Sequence, residues 1–272
     1  MVLYVMLFFF ELLDRELFPV ILIKEKYMKI SIVTIVRNDR AHIEETLKSV
    51  LEQNKENFEL EYVVIDGAST DGTPEIIEKY ADSLAYFVSE KDTGIYNAMN
   101  KGIAHCTGDI IGMINSGDRY LPGALAVVAE AFRKNGTLDR IFWGDVIYQH
   151  QGLVKGFREN KRFIGAFAPH PSMFVPRCIY EEIGTYDETF RLLGDYDFMY
   201  RAVNVKKIPV LYVPVPVAFY LEDGLSDRYV YRCLKDELKV KCRYGQNPLA
   251  AYTVFGLKVL KNLPRILKNL RG

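Results

Sequence analysis

The chain has 272 residues, 49% of them apolar and 26% charged, enough to enclose one large α/β core. Its 35 basic and 35 acidic residues cancel, so no global basic field exists to gather nucleic acid. Four cysteines without a C-x-x-C pair and only four histidines argue against a structural zinc site and for a reducing compartment.

Val2 to Phe10 is an unbroken apolar run, followed by Glu11, Asp14, Arg15 and Glu16. A spanning helix needs roughly 20 apolar residues, and a secretory signal wants a basic start. The segment meets neither description. Met28-Lys29-Ile30 opens the first clean strand pattern, so Met28 is read as the start and residues 1–27 as a mis-assigned leader. The alternative is a short hydrophobic helix lying on a membrane or on the domain.

From Lys29 strands and helices alternate. Lys29–Val36 is an apolar, β-branched run, and Asn38 or Asp39 can cap the helix behind it. In that helix Ile43, Leu47, Val50 and Leu51 form one stripe. Leu60–Asp66 is a second strand, Gly67–Gly72 a polar loop, and Thr73-Pro74 a helix start. Leu84–Ser89 reads as a strand, Gly94–Cys106 as a helix, and Asp109–Asn115 as a strand. Pro122–Asn135 reads as a helix, Ile141–Tyr148 and Ser172–Val175 as strands, and Gly194–Val203 as a helix. Ile208–Tyr220 is strand-like but proline-broken, which predicts an edge or a bent pair. Asp227–Tyr244 and Tyr252–Leu270 are the last predicted helices. The alternation predicts a mainly parallel, doubly wound α/β sheet with ligands beyond the carboxyl ends of the strands. The polar clusters Arg37-Asn38, Asp66–Asp71, Glu90–Gly94 and Asn115–Asp118 all stand at such ends, so they should converge on one crevice.

Each cluster also has an ordinary explanation. Asp66-Gly67-Ala68-Ser69-Thr70-Asp71-Gly72 can bind a base or ribose through Asp66 while Ser69 and Asp71 organise the turn, or it can merely reverse the chain. Glu90–Gly102 puts amides and Lys101 at a helix start, a favourable place for phosphate oxygens, yet Ile95, Met99 and Ile103 also suit a packed amphipathic helix. Asp118, closing Asn115-Ser116-Gly117-Asp118, is a hard oxygen ligand for Mn2+ or Mg2+, or a cap for the next helix. Asp195 and Asp197 can serve a helix dipole, or one of them can be a general base. His170 is a candidate for lining the cleft on the acceptor side, as is Asp197. No G-x-x-x-x-G-K-[ST] loop, no G-x-G-x-x-G after the first strand and no G-x-S-x-G elbow occurs, which removes the main support for ATPase, dehydrogenase and hydrolase readings.

Taken together, Ser31–Asn38, Val63–Thr73, Gly94–Gly102 and Gly194–Arg201 resemble the inverting family 2 glycosyltransferases of the GT-A fold, in particular bacterial members that build surface polysaccharides. The resemblance spans about Lys29 to Tyr220. It implies one nucleotide-binding domain with a donor half over 28–120 and an acceptor half over 121–222, followed by C-terminal helices over 223–272. It implies that Thr34 and Asp66 contact the base or ribose of a UDP- or GDP-sugar. Arg37, Ser69, Asp92, Lys101 and Asn115 would complete the donor side. Asp118 stands where the family's metal-binding D-x-D ends, and Asp195 where it keeps its catalytic base. Two departures are visible: Asn115 replaces the first acid of D-x-D, and Asn97 stands where similar sequences often carry Asp.

The implied reaction is an in-line displacement onto a glycan or lipid-linked acceptor hydroxyl, with no role for nucleic acid. Two rivals remain. One is an inactive sugar-nucleotide or glycan-binding module, favoured by the missing acid. The other is a sugar-phosphate nucleotidyltransferase, disfavoured because Arg37-Asn38-Asp39 stands where a glycine-rich basic loop is wanted. The expected location is cytoplasmic. Residues 251–272 form a basic amphipathic segment that suits either the inner face of the plasma membrane or packing on the domain.

Overall fold

The computed structural model describes residues 28–165, 167–222, 224 and 228–271. The leader reading of residues 1–27 lies outside them, as does Asp227, the expected first residue of a helix.

Strand β1 (Met28–Val36) pairs in parallel with β2 (Phe58–Asp66) and with β4 (Ile110–Met113), and β2 pairs in parallel with β3 (Tyr86–Ser89). Period-two alternation divides their side chains between two cores. Ile30, Ile32, Tyr62 and Val64 face one, packed by α1 (Ile43–Leu51), α2 (Thr73–Glu78) and α4 (Ala124–Asn135). Val33, Ile35, Val63 and Ile65 face the other, packed by α3 (Ile95–Ala104), α5 (Arg177–Ile183) and α6 (Gly194–Tyr200), which passes into a π turn over Arg201–Val205. Helix α3 lies so close to the sheet that a Cβ on Gly102 would stand 2.3 Å from Val33 Cγ1.

The parallel layout holds through these strands and becomes mixed beyond them. β8 (Met173–Pro176) is antiparallel to β4 and to β6 (Ile141–Tyr148), whereas β9 (Val210–Tyr220) is parallel to β6. The short strands β5 (Arg119–Tyr120) and β7 (Gly152–Val154) complete a nine-stranded sheet of order β3-β2-β1-β4-β8-β6-β9-β5, with β7 on β6. The prolines of β9 are accommodated by two local devices. β5 covers only Ala218 and Phe219, which leaves Pro214 and Pro216 on an open edge, and the register with β6 slips between Trp143 and Asp145.

The C-terminal residues form α7 (Val230–Arg243), α8 (Pro248–Lys261) and α9 (Leu263–Arg271). The single helix expected over Tyr252–Leu270 begins earlier and is interrupted. Asn247 caps α8 by accepting from the Ala250 N–H at 3.2 Å, and Pro264, which lacks an N–H, follows the break at Asn262. Glu237 of α7 holds two ammonium groups, Lys241 at 2.5 Å and Lys258 of α8 at 2.7 Å. Lys241 is almost fully buried and also donates to the Ile164 carbonyl at 2.8 Å, so this cluster pins both helices to the 161–165 loop. Helix α8 therefore turns Lys258 inward. Its outward face carries Leu249, Leu257 and Leu260, which are 79%, 62% and 67% exposed. Among the described residues no helix is long and apolar enough to cross a membrane.

Candidate active site

A cleft of about 850 Å³ opens at the carboxyl ends of β1 and β4. One wall is Ile35–Arg37 with Asp39, and the floor is Asn115-Ser116. The opposite wall joins Asp92–Ala98, at the start of α3, to Glu188–Leu192. Tyr229 and Arg232 of the α7 region close the far end.

Hydrogen bonds between strand-end loops set this shape. Asp66, fully buried at the end of β2, accepts from the Ser69 N–H and hydroxyl at 2.9 and 2.5 Å and from the Ser89 hydroxyl at 2.5 Å. The Asn38 N–H, at a residue with φ of +50°, donates to Ser69 Oγ at 2.7 Å, and Asn38 Oδ1 accepts from the Thr70 N–H. On the other wall Asn100 exchanges two hydrogen bonds with the Tyr186 backbone, and its amide also reaches Glu188 at 2.9 Å. Asn97 donates to Glu188 as well, at 3.1 Å. An Asp at position 97 would oppose that carboxylate, so Asn97 and Glu188 form a matched pair.

Arg37, Asp92 and Asn115 line the cleft. Other sequence candidates stand elsewhere. Thr34 is fully buried on the opposite face of β1, its hydroxyl shared between Tyr62 and the Ile114 carbonyl, both at 2.8 Å. Strand alternation gives the cleft to Ile35 and Arg37 instead, which corrects the expected ligand contact of Thr34. Asp66 and Ser69 are likewise occupied in shaping their loop and do not line the cleft. Lys101 is drawn onto Asp92 at 2.8 Å and Glu90 at 2.6 Å, so its charge steadies Asp92 rather than facing the cavity. Asp197 is fully buried and points to Arg243 and Arg201, at 3.4 and 3.9 Å, away from the acceptor side. His170 does not line the cleft; its Nε2 lies 3.1 Å from the Tyr186 hydroxyl, and burial lowers its pKa.

Asp195 is half-buried directly behind the cleft wall. The Tyr96 hydroxyl lies 3.0 Å from its Oδ1 and 2.6 Å from the Leu192 carbonyl, so one proton is shared between two acceptors. Burial and the neighbouring Asp195 charge raise the Tyr96 pKa, which keeps that proton in place. A Cβ on Gly194 would stand 2.8 Å from the Tyr96 ring, so glycine is what lets Tyr96 lie against the start of α6.

Asp118 is covered by the segment after β9. Its Oδ1 accepts from the Leu221 N–H at 2.9 Å, and burial pushes its pKa up to about 8. Asn115, on the same turn, has an Oδ1 that is buried without a hydrogen-bond partner. The Asp118 N–H donates to the Asn115 carbonyl at 3.0 Å. Among the described residues Asp118 has no cationic partner. With the Asn115 amide oxygen on the same turn it offers hard oxygen donors that suit a divalent cation, whose other ligands would come from a diphosphate. Among the described residues no three His, Cys, Asp or Glu gather around a point, so the protein alone does not complete a coordination shell.

Sequence reasoning assigned no role to Tyr96, Glu188, Arg191 or Arg232. Tyr96 lies within Gly94–Gly102 and Arg191 just before Gly194–Arg201, but their meeting on one wall of the cleft depends on the pairing of α3 with the 186–192 loop.

Residues 31–193 match the family model described as Glycosyl transferase family 2, a stretch that ends just before Asp195. An uncharacterised glycosyltransferase of Mycobacterium tuberculosis is 34% identical over 183 residues, 65% of this chain and 69% of that protein. A PGL/p-HBAD biosynthesis glycosyltransferase of Mycobacterium bovis is 31% identical over 222 residues, 79% of this chain and 86% of that protein. Among solved structures, S. aureus TarS with UDP superposes with a TM-score of 0.63 at 18% identity, covering 87% of this chain and 72% of that one. A mannosyltransferase of Pyrobaculum calidifontis with GDP-Man and Mn2+ gives 0.63 at 19% identity, covering 98% and 81%. At such identities the two structures speak to the fold, which is GT-A.

Proposed function

This chain belongs to glycosyl transferase family 2, and from that premise we propose that it transfers a hexosyl-type sugar, with inversion, from a UDP- or GDP-sugar to a hydroxyl of a glycan or lipid-linked acceptor in cell-envelope polysaccharide biosynthesis. The observation that carries the reading is the cleft itself, with Arg37 and Asn115 at the strand ends, Asp92 on the opposite wall, and Asp195 behind the Tyr96–Leu192 part of that wall.

In this reading Arg37 and Asn115 orient the donor, and Asp92, steadied by Lys101, holds its sugar side. Tyr96 aims the Asp195 carboxylate, and Asp195 takes the acceptor proton as the new bond forms. Asp118 and Asn115 would hold Mn2+ or Mg2+, which would supply positive charge to offset that growing on the leaving diphosphate. One carboxylate suffices because the leaving group needs no protonation, unlike in glycosidases with two flanking carboxyls.

A panel of UDP- and GDP-sugars should give nucleoside diphosphate release from at least one donor, stimulated by Mn2+ or Mg2+. Donor binding without release under every acceptor tested would instead favour the inactive binding module.

The peripheral membrane reading rests on α8, whose leucines face outward while Lys258 faces inward. Residues 228–271 hold eleven basic side chains against two acidic ones in a chain with no net charge, which complements an anionic bilayer on the cytoplasmic side. Full-length protein should sediment with phosphatidylglycerol vesicles. Leu249→Gln, Leu257→Gln and Leu260→Gln combined should weaken that at least tenfold, roughly the effect of withdrawing a few kcal/mol of apolar burial, without lowering the melting temperature. Equal pelleting rejects the membrane role, and loss of a concentration-dependent dimer would assign the face to a second copy.

A further inference from the structure

We propose that a groove adjoining the cleft contains a second anion position, formed by Arg191, Arg232 and Lys235, and that the acceptor is a phosphate-bearing molecule whose phosphate docks there while its hydroxyl meets Asp195. The proposal deepens the transferase reading and rests on it.

A second groove of about 370 Å³ adjoins the cleft, lined by Thr189, Arg191, Tyr231, Arg232, Lys235 and Asp236. Thr189, Arg191 and Arg232 line both spaces, so they are continuous. The volume lies in the range of small-ligand sites and leaves room for a phosphate with the group attached to it.

The cations of this groove differ from several neighbours that are already paired. Nearby cations are consumed: Lys101 by Glu90 and Asp92, Arg243 by Asp187 at 2.5 Å and by Asp197, and Arg201 by the Ile183 and Thr185 carbonyls. Among the described residues, Arg191, Arg232 and Lys235 make no ion pair within 4.0 Å. The Arg232 guanidinium and the Lys235 ammonium lie over the rings of Tyr229 and Tyr231, each 5.8 Å from the centroid, contacts that orient these groups without neutralising their charge. The one acid in the groove, Asp236, has a buried Oδ2 without a hydrogen-bond partner. Among the described residues of this groove, three cations therefore face one acid.

Their position sets them apart from the strand-end residues assigned to the donor. Arg37 and Asn115 stand at the β1 and β4 ends, whereas Arg191, Arg232 and Lys235 belong to the opposite wall and to α7. A single nucleoside diphosphate does not need cations at both ends. A neutral glycan would be read by aromatic faces and amides. Two arginines with planar forks and a lysine at a shared opening match phosphate oxygens. The groove also leads toward the leucine-faced helix, since Tyr231 lies 6.4 Å from Phe255 of α8. The phosphate could therefore belong to a lipid headgroup or to a soluble phosphorylated glycan.

The experiment loads full-length protein with saturating UDP or GDP and Mg2+, then titrates glycerol phosphate, short-chain phosphatidic acid and short-chain phosphatidylcholine. Both phosphate monoesters should bind alongside the nucleotide, and phosphatidylcholine should not. Arg232→Gln with Lys235→Gln should weaken phosphate binding about tenfold or more. Lys235 lies outside the donor cleft, so Lys235→Gln alone should weaken it severalfold with nucleotide affinity changed less than about twofold. Tighter binding of phosphatidic acid than of glycerol phosphate supports a lipid source, and equal binding supports a soluble one. Competition between phosphate and nucleotide, or unchanged phosphate affinity in the double variant, overturns the proposal. Loss of nucleotide binding in the unmodified protein would instead count against the transferase reading itself.

Discussion

Asp195→Asn should lower turnover on the order of 10²–10⁴-fold while donor affinity persists, because the amide keeps the shape of the carboxylate and removes only its basicity. The Tyr96 hydroxyl can still donate to the amide oxygen, so the wall of the cleft should survive. Asp197→Asn is the control. Residues two apart on a helix point about 200° apart, and Asp197 turns toward Arg201 and Arg243 rather than the cleft. That substitution weakens a buried charge cluster, so it should cost melting temperature more than turnover. Side-by-side turnover and calorimetric donor affinity decide the matter. An inactive Asp197→Asn beside an active Asp195→Asn would mean that the register of the acidic motif has been misread.

Asp118→Asn should reduce metal-stimulated kcat/KM by about 10²-fold, the rate equivalent of roughly 3 kcal/mol of charge stabilisation. Its stability effect should have the opposite sign. Burial raises the folded-state pKa of Asp118 from its ordinary 3.8 to about 8. Its stabilising contribution is therefore complete below the ordinary value and is lost as pH rises through about 8. Asn resembles the protonated acid and does not titrate. In EDTA the variant should melt above the parent, with a gap that widens as pH rises from about 5 to 9. Adding Mn2+ with nucleoside diphosphate should raise the parent's melting temperature and leave the variant's nearly unchanged. Activity and donor affinity indifferent to both EDTA and the substitution would show that the enzyme works without metal.

The strand–helix alternation from β1 to α4 was legible in the sequence because each element there carries its own period. Ile43, Leu47 and Val50 state a helix face, and Ile30, Ile32, Val33 and Ile35 state a strand buried on both sides. The strand-end motifs were legible for the same reason: a polar cluster after an apolar run marks a strand's carboxyl end, wherever that strand sits in the sheet. Family membership follows from those motifs in order. Their side-chain roles do not. Thr34 and Arg37 look equally available in the sequence, yet strand alternation buries one and exposes the other. Lys101 reads as a phosphate ligand until the fold sets Glu90 and Asp92 within ion-pair distance. The helix over Tyr252–Leu270 reads as ordinarily amphipathic, and only Glu237 on a neighbouring helix explains why Lys258 turns inward and the leucines outward. Arg191 and Arg232 lie far apart in the chain and share a groove through packing alone. Local periodicity is encoded in neighbouring residues, so the sequence by itself determined the elements and the family. Charge pairing and cleft lining depend on contacts between distant segments, and these only the tertiary structure decided.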